Sequence, residues 1–217
     1  SDLDLLAEQV TARVGIAGLF PPTPSLSVYA YKFQKGGNLF VKGSQSKNYI
    51  GGSLSAEDLN LAQFLSVGMP EPIDGLLRAS GSFGYDQNDL SKSTGDIDLE
   101  IKKLNVPGMN MQGIILPAIS WDEVKAKLSI KNGNLDIGQG QFGTPKSAMR
   151  GTLTGYIKLG RDIMSSYINV VLRIQMTDAY RADPQSATLV SFLKTFESSK
   201  TPGEYAMKWG ATLRDMG

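Results

Sequence analysis

The sequence predicts a mainly β protein: one long antiparallel sheet built of hairpins, curled into an open trough or folded as a sandwich, with a few short helices. Two observations predict this fold. Apolar and polar side chains alternate strictly in several segments, which in an extended strand sends each set to its own face. The 217 residues also include 24 Gly and 10 Pro, which indicates many turns.

The clearest strand is predicted at 95–102, where apolar and charged residues alternate without interruption. A hairpin is predicted at 124–137, because Asn132 and Gly133 supply the positive φ angles of a tight turn between two alternating segments. Alternation also predicts strands at 149–158 and 168–176. Weaker strands are predicted at 26–33, 38–42 and 76–85.

Three helices are predicted. The first, 55–67, begins at a Ser or Asp cap and ends near Gly68. The second, 184–198, carries an apolar stripe at helical spacing. The third is a short helix within 201–217, around Tyr205, Met207 and Trp209. These elements predict three regions: an N-terminal segment 1–24 that continues from a missing upstream region, an antiparallel β domain 25–180, and a helical C-terminal segment 181–217.

Composition excludes several classes of function. A net charge of +1 gives almost no field for collecting polyanions, so no nucleic acid partner is predicted. The absence of His and Cys excludes Ser-His-Asp and Cys-His nucleophilic sites, His- or Cys-ligated zinc and thiol redox chemistry. We therefore predict a protein that is not an enzyme and has no cofactor and no metal site. A minor alternative is a glycan-processing enzyme that uses Asp98 and Asp122 as its two catalytic carboxylates, since this chemistry needs neither His nor Cys.

The candidate site is the apolar face of the predicted sheet. It is a closed core if the sheet folds on itself, and a hydrophobic groove for acyl chains or an apolar partner segment if the sheet is a trough. The alternation does not choose between them. The residues predicted to line this face are Ile97, Leu99, Ile101, Val124, Ala126, Leu128, Ile130, Leu153, Ile157, Ile168, Val170, Leu172 and Ile174.

The opposite face carries two rows of charge. Acidic residues at two-residue spacing share one face of the first strand, and lysines share one face of the hairpin that follows. If the two strands are neighbours, we expect cross-strand ion pairs, which makes the acidic row a polar surface and not a cation site. The rows are Asp96, Asp98 and Glu100, and Lys125, Lys127 and Lys131.

The residues IILPAISWDEVKAKLSIKNGNL at 114–135 resemble the C-terminal region of the general secretion pathway protein N family, in its spirochaete and deltaproteobacterial form. The strands STGDIDLEI at 93–101 and MRGTLTGYIKL at 149–159 are similar to strands of that family. The resemblance covers about 76–200. Its motifs are patterns of strands and turns, with no catalytic signature, so no catalytic residue carries over.

This resemblance implies a bacterial envelope protein with one N-terminal membrane helix, which this chain lacks, and a periplasmic β-rich body anchored to the inner membrane. The implied function is a non-enzymatic interaction or scaffold module of a type II secretion system, with other secretion-system envelope proteins as partners. The family also resembles AsmA-like proteins, whose curled sheets have apolar interiors. The alternative function is therefore lipid binding or lipid transfer in a hydrophobic β groove, with phospholipid as partner.

Overall fold

A computed structural model describes residues 7–17, 23–33, 36–63, 73–111 and 114–216 of the chain. The predicted fold class is confirmed: the protein is mainly β, and its main element is an open, curled, antiparallel sheet with a few short helices. Eleven strands form this sheet, in the order β1-β2-β3-β4-β5-β6-β9-β10-β11-β12-β13, and β7 and β8 form a separate two-stranded ribbon. Of the two predicted architectures, the described residues form a single layer, the trough, and not a sandwich.

The strands follow the alternating segments of the sequence, in which each strand sends apolar side chains to one face. Their bounds are β1 Ala7–Ala17, β2 Thr23–Phe33, β3 Asn38–Ser46, β4 Tyr49–Asn60, β5 Asp74–Asp86, β6 Thr94–Val106, β7 Met109–Met111, β8 Ile114–Leu116, β9 Ile119–Lys131, β10 Asn134–Phe142, β11 Met149–Lys158, β12 Tyr167–Met176 and β13 Glu204–Thr212.

The helices are short and lie mainly between β12 and β13. They are α1 Asp178–Ala182 and α2 Ala187–Leu193, with 3₁₀ turns at Leu61–Gln63, Leu90–Lys92, Ile163–Ser165, Pro184–Ser186, Lys194–Phe196 and Leu213–Met216. No helix among the described residues has the length and apolar character needed to cross a membrane.

Nearly every strand pairs with the next one along the chain, so the sheet is a meander. The exception is β6, which pairs with β9 across the β7–β8 ribbon. The predicted hairpin is confirmed: β9 and β10 pair antiparallel around Asn132 and Gly133, whose φ angles are 50° and 75°. Positive φ at both central residues is what a tight two-residue turn requires.

The two ends of the sheet, where its strands begin or end, differ in what covers them. At the helical end, which holds the start of β9 and β11 and the end of β12, α2 packs on the sheet through Leu189 and Leu193. The main buried cluster lies there, and its buried members are Met149, Ile174, Met176, Leu189, Leu193, Tyr205 and Met207. At the turn end, which holds the end of β5, β9 and β11 and the start of β6, β10 and β12, the described connections are 3₁₀ turns and hairpin loops.

The predicted helix at 55–67 is wrong over the residues that the structure describes. Ser55 to Asn60 belong to β4 and Leu61–Gln63 form a 3₁₀ turn, while 64–67 lie outside the described residues. The reason is a bulge: Asp58 has φ 48°, and the pairing of β4 with β5 shifts between Ala56 and Leu59. An extra residue in a strand changes an apolar spacing of two into three, which imitates a helix.

The predicted C-terminal helical segment 181–217 is also wrong in part. α2 confirms the helix predicted at 184–198, but Glu204–Thr212 form β13, the last strand of the sheet. The sheet extends beyond the other predicted boundary as well, because β1 lies within the predicted segment 1–24 and pairs with β2. The remainder of that segment, 1–6 and 18–22, lies outside the described residues.

Candidate functional site: the apolar face

The thirteen residues predicted to line the apolar face lie on β6, β9, β11 and β12, and the sheet brings them together. Ile97 is directly opposite Leu128, Leu99 opposite Ala126, and Ile101 opposite Val124. Residues opposite each other on paired strands share a face, with Cβ atoms about 4.5–5.5 Å apart. On the other side of the hairpin, β11 and β12 align their own apolar residues in the same way. Those pairs are Leu153 with Leu172 and Ile157 with Ile168.

Two rows join these strands into one continuous surface. One row runs through Ile97, Leu128, Ile137, Gly155, Val170 and Trp209. The other runs through Ile130, Leu135, Ile157, Ile168 and Ala211. Each row crosses the strands nearly at right angles, because paired residues lie side by side. The apolar face therefore extends across β6, β9, β10, β11, β12 and β13 without a charged residue in either row.

Most of this face is open to solvent. Of the thirteen residues, only Ile174 is buried, at 8% exposed, and the other twelve are half-buried. A closed core would bury side chains of this kind almost completely. The partial exposure of these twelve residues therefore indicates an apolar sheet face that the described residues leave without a covering layer.

The described residues cover the apolar face at its helical end. Leu172 and Ile174 from the predicted set belong to the cluster beneath α2, together with Tyr205 and Met207 of β13. Trp121 packs against the same cluster, in edge contact with Phe142 at 5.2 Å between ring centroids, and its indole N–H donates to the Met149 carbonyl oxygen at 3.1 Å. Trp121 therefore closes the helical end of the buried cluster.

The sequence analysis missed several residues that the register adds to this face. Leu135 and Ile137 were assigned to the hairpin but not to the face, although their alternation continues that of β9. Met207 and Trp209 were missed because β13 was predicted as a helix. A signal was present, since Tyr205, Met207 and Trp209 recur at spacing two, the period of a strand.

Gly155 explains how β11 crosses the middle of the face. Its φ is +131°, a conformation that residues with side chains rarely adopt, and a Cβ there would collide with the backbone of Asn169 and Val170 on β12. Glycine at this position therefore lets β11 approach β12 closely within the row that joins Ile137 to Val170.

The opposite face carries the charged rows, and the predicted cross-strand ion pairs are confirmed. Lys125 lies 3.7 Å from Glu100, Lys127 3.5 Å from Asp98 and Lys131 3.7 Å from Asp96. Each distance joins the ammonium nitrogen to a carboxylate oxygen. The Asp96 carboxylate also accepts a hydrogen bond from the Ser129 hydroxyl at 2.7 Å. Neighbouring charges therefore balance along these two strands.

We expect each of these pairs to contribute little stability. Lys127 and Asp98 are 66% and 65% exposed, so Lys127→Gln should lower the free energy of unfolding by less than about 1 kcal/mol. Urea denaturation measures this. The matched control is Lys208→Gln on β13, an exposed lysine that none of the ion pairs among the described residues includes. A loss above about 2 kcal/mol for Lys127→Gln alone would contradict a solvent-screened pair.

Three carboxylates have a pKa below the usual range. The Arg78 guanidinium lowers the pKa of Asp58 through a hydrogen bond, Ser91 lowers that of Asp89, and Lys125 lowers that of Glu123. A carboxyl group whose pKa is lower in the folded than in the unfolded state stabilises the fold when the pH is above its unfolded-state pKa. That stability is lost as the pH falls through the folded-state pKa. We therefore expect the urea midpoint to fall as the pH is lowered below about 5, through the ordinary pKa range of carboxyl groups and beyond it.

Arg78→Gln tests the cause of that acid sensitivity. Without the Arg78 nitrogens, which donate to the two Asp58 carboxylate oxygens at 2.7 and 3.1 Å, the pKa of Asp58 should return towards its ordinary value. The fall of the midpoint with acid should then be shallower, and the measurement is urea denaturation of both proteins across the same pH series. An identical slope would show that the Asp58–Arg78 pair adds nothing to acid sensitivity.

The remaining candidate residues do not come together as a site. Asp98 lies opposite Lys127, and Asp122 precedes Lys127 by five residues in β9. The backbones of Asp98 and Asp122 are therefore about 16 Å apart. A two-carboxylate glycosidase needs carboxyl groups about 5–9.5 Å apart. Among the described residues, no group of three or more acidic side chains could hold a metal ion. No protein family matches this chain, and no curated protein or solved structure matches it significantly.

Proposed function

We propose that this protein binds the acyl chains of lipids on its apolar face, as a non-enzymatic lipid-binding or lipid-transfer protein of the bacterial envelope. The observation that carries the proposal is the set of half-buried apolar residues aligned in continuous rows across six strands. A surface of this size left in water is unfavourable, and each methylene group that it buries contributes about 0.8 kcal/mol.

The dimensions of the face support an acyl chain as the ligand. Six adjacent strands from β6 to β13 extend about 24 Å across the sheet. One leaflet of a bilayer has a hydrocarbon depth of about 15 Å. A row such as Ile97 to Trp209 is therefore long enough to hold an acyl chain along its length. The absence of charged residues from the rows supports an uncharged chain over a polar ligand.

The first test is mass spectrometry of organic extracts from protein purified without detergent. We expect phospholipid near stoichiometry with the protein. An extract without phospholipid, from protein that fails to take up a fluorescent fatty acid, would contradict the proposal.

The exposed sheet edges favour a second candidate, the secretion-system scaffold that the family resemblance implies. Within the described residues, β1 and β13 each pair with one strand only, and the start of β13 also forms an isolated bridge between Tyr205 and Glu197. The outer edges of both strands therefore have no full strand partner among the described residues. Such edges can add a strand from a partner protein. Under this proposal the protein is a periplasmic component at the inner membrane. A crosslinking pulldown from envelope extracts that recovers no secretion-system subunit would contradict it.

A further inference from the structure

Exposed apolar side chains concentrate at the turn end of the sheet. Among the described residues, eight large hydrophobic side chains are exposed, and five of them lie within two residues of a strand end or in a connecting turn at this one end. Three are tyrosines and two are aliphatic. They are Tyr49, Tyr85, Ile163, Met164 and Tyr167.

The most exposed of these side chains are held in a fixed turn between β11 and β12. Ile163 is 64% exposed and Met164 47% exposed, at the start of a 3₁₀ turn. The Asp162 carboxylate accepts a hydrogen bond from the Ser165 N–H at 3.0 Å, and the Ser165 side chain caps Asp162 in return. Ser166, directly after the turn, is 1% exposed. The turn is therefore anchored at its base while its apolar tip points into solvent.

Neighbouring turns fix this tip to the rest of the sheet. The Leu90 N–H donates to the Arg161 carbonyl oxygen at 3.2 Å, and the Leu159 N–H donates to the Gly133 carbonyl oxygen at 2.6 Å. On the other side, the Leu213 N–H donates to the carbonyl oxygen of Ser166 at 3.0 Å. Four connections therefore meet at the turn end and form one continuous surface.

Basic residues flank the apolar tip. Lys158 and Arg161 precede it in the chain, and Arg214 lies in the 3₁₀ turn that contacts it. None of the ion pairs among the described residues includes these three cations. Three acidic residues nearby, Asp86, Asp89 and Asp162, are hydrogen-bonded to turn residues instead.

Three acidic side chains at this end, those of Asp86, Asp89 and Asp162, cap turns. The Asp86 carboxylate accepts the Asn88 and Asp89 N–H groups, and the Asp89 carboxylate accepts Ser91 and pairs with Lys92 at 3.3 Å. Asp162 is likewise engaged by Ser165. These three acids thus hold the turns in place, and no ion pair among the described residues engages Lys158, Arg161 or Arg214.

We propose that the turn end docks on the surface of an anionic lipid bilayer. Ile163 and Met164 insert between the headgroups, the three tyrosines lie at the interface, and Lys158, Arg161 and Arg214 contact lipid phosphates. Aliphatic residues at a tip, tyrosines around it and cations beside it match the layered polarity of a membrane surface. This inference goes beyond the proposed function, since docking does not require lipid on the apolar face.

The test is flotation of the purified chain with vesicles of phosphatidylcholine alone, or of equal parts of phosphatidylcholine and phosphatidylglycerol. We expect the chain to float with the mixed vesicles, and the double variant Ile163→Asp with Met164→Asp to bind them at least about tenfold more weakly. The control is Phe192→Asp at the helical end, where Phe192 is 52% exposed. Its flotation should match that of the unaltered protein.

A second variant tests the charge without altering the apolar tip. Lys158→Gln with Arg161→Gln should weaken binding to the mixed vesicles about tenfold at low salt, and the difference should disappear at high salt. The proposal is overturned if the unaltered chain floats with neither vesicle, if the Ile163 and Met164 variant floats normally, or if Phe192→Asp weakens flotation equally. Lipid in the extract of a chain that does not float would overturn docking alone, and flotation of a chain without bound lipid would overturn only the proposed function.

Discussion

Leu128→Asp is expected to purify with at least about tenfold less bound phospholipid than the unaltered protein. Leu128 lies at the centre of the apolar face, with Ile97 opposite it on β6 and Ile137 opposite it on β10. A carboxylate there would have to lose its water when an acyl chain covers the row, and that cost exceeds the gain from burying a few methylene groups. Mass spectrometry of organic extracts, quantified per mole of protein, measures the result.

The matched control is Thr154→Asp. Thr154 is exposed on β11 and lies between Leu153 and Gly155, so its side chain points to the face opposite theirs. It therefore adds the same charge to the same sheet but not to the apolar face, and we expect normal loading. Circular dichroism establishes that both variants keep the sheet. Equal loading of a folded Leu128→Asp and the unaltered protein would mean that lipid does not lie on this row.

Leu193→Ala is expected to lower the free energy of unfolding by about 2–5 kcal/mol. Leu193 is 1% exposed and packs with Leu189 against the buried cluster at the helical end. Removing Cγ and its two methyl groups loses buried apolar area and leaves a cavity that the packed β-strands beneath it cannot fill. Urea denaturation, followed by circular dichroism, measures the change.

Phe192→Ala is the control, one residue away on the same helix. Phe192 is 52% exposed, so its removal should change the free energy of unfolding by no more than about 0.5 kcal/mol. The contrast tests whether α2 closes the helical end of the trough through one face only. Equal losses for the two variants would show that α2 does not pack on the sheet as described.

The alternating segments predicted most of the sheet correctly, because a strand with one wet face and one dry face has period two in its sequence. The strand at 95–102, the hairpin around Asn132 and Gly133, and the strands at 149–158 and 168–176 were all confirmed. The rows of opposite charge predicted that β6 and β9 are neighbours, and the ion pairs between them agree.

The sequence pattern mispredicted two segments, one because of a backbone bulge and one because its strand partner is distant in the sequence. At Asp58 the bulge interrupts the period of β4, so a strand had the spacing of a helix. At Tyr205 to Trp209 the period was that of a strand, but the segment becomes a strand only because β12 supplies its hydrogen-bonding partner. The residues of a short segment carry no information about a partner strand that lies far away in the sequence.

The sequence by itself determined most of the strands, the Asn132–Gly133 turn, the division into an apolar and a charged face, and the absence of His and Cys. Only the tertiary structure decided that the strands form one open layer, that α2 covers the helical end, and that twelve of the thirteen apolar-face residues stay half-buried. The physical reason is that alternation fixes which way each side chain points from its strand. Whether that face meets a second sheet, a helix or solvent depends on the curl of the sheet and on contacts between residues far apart in the chain.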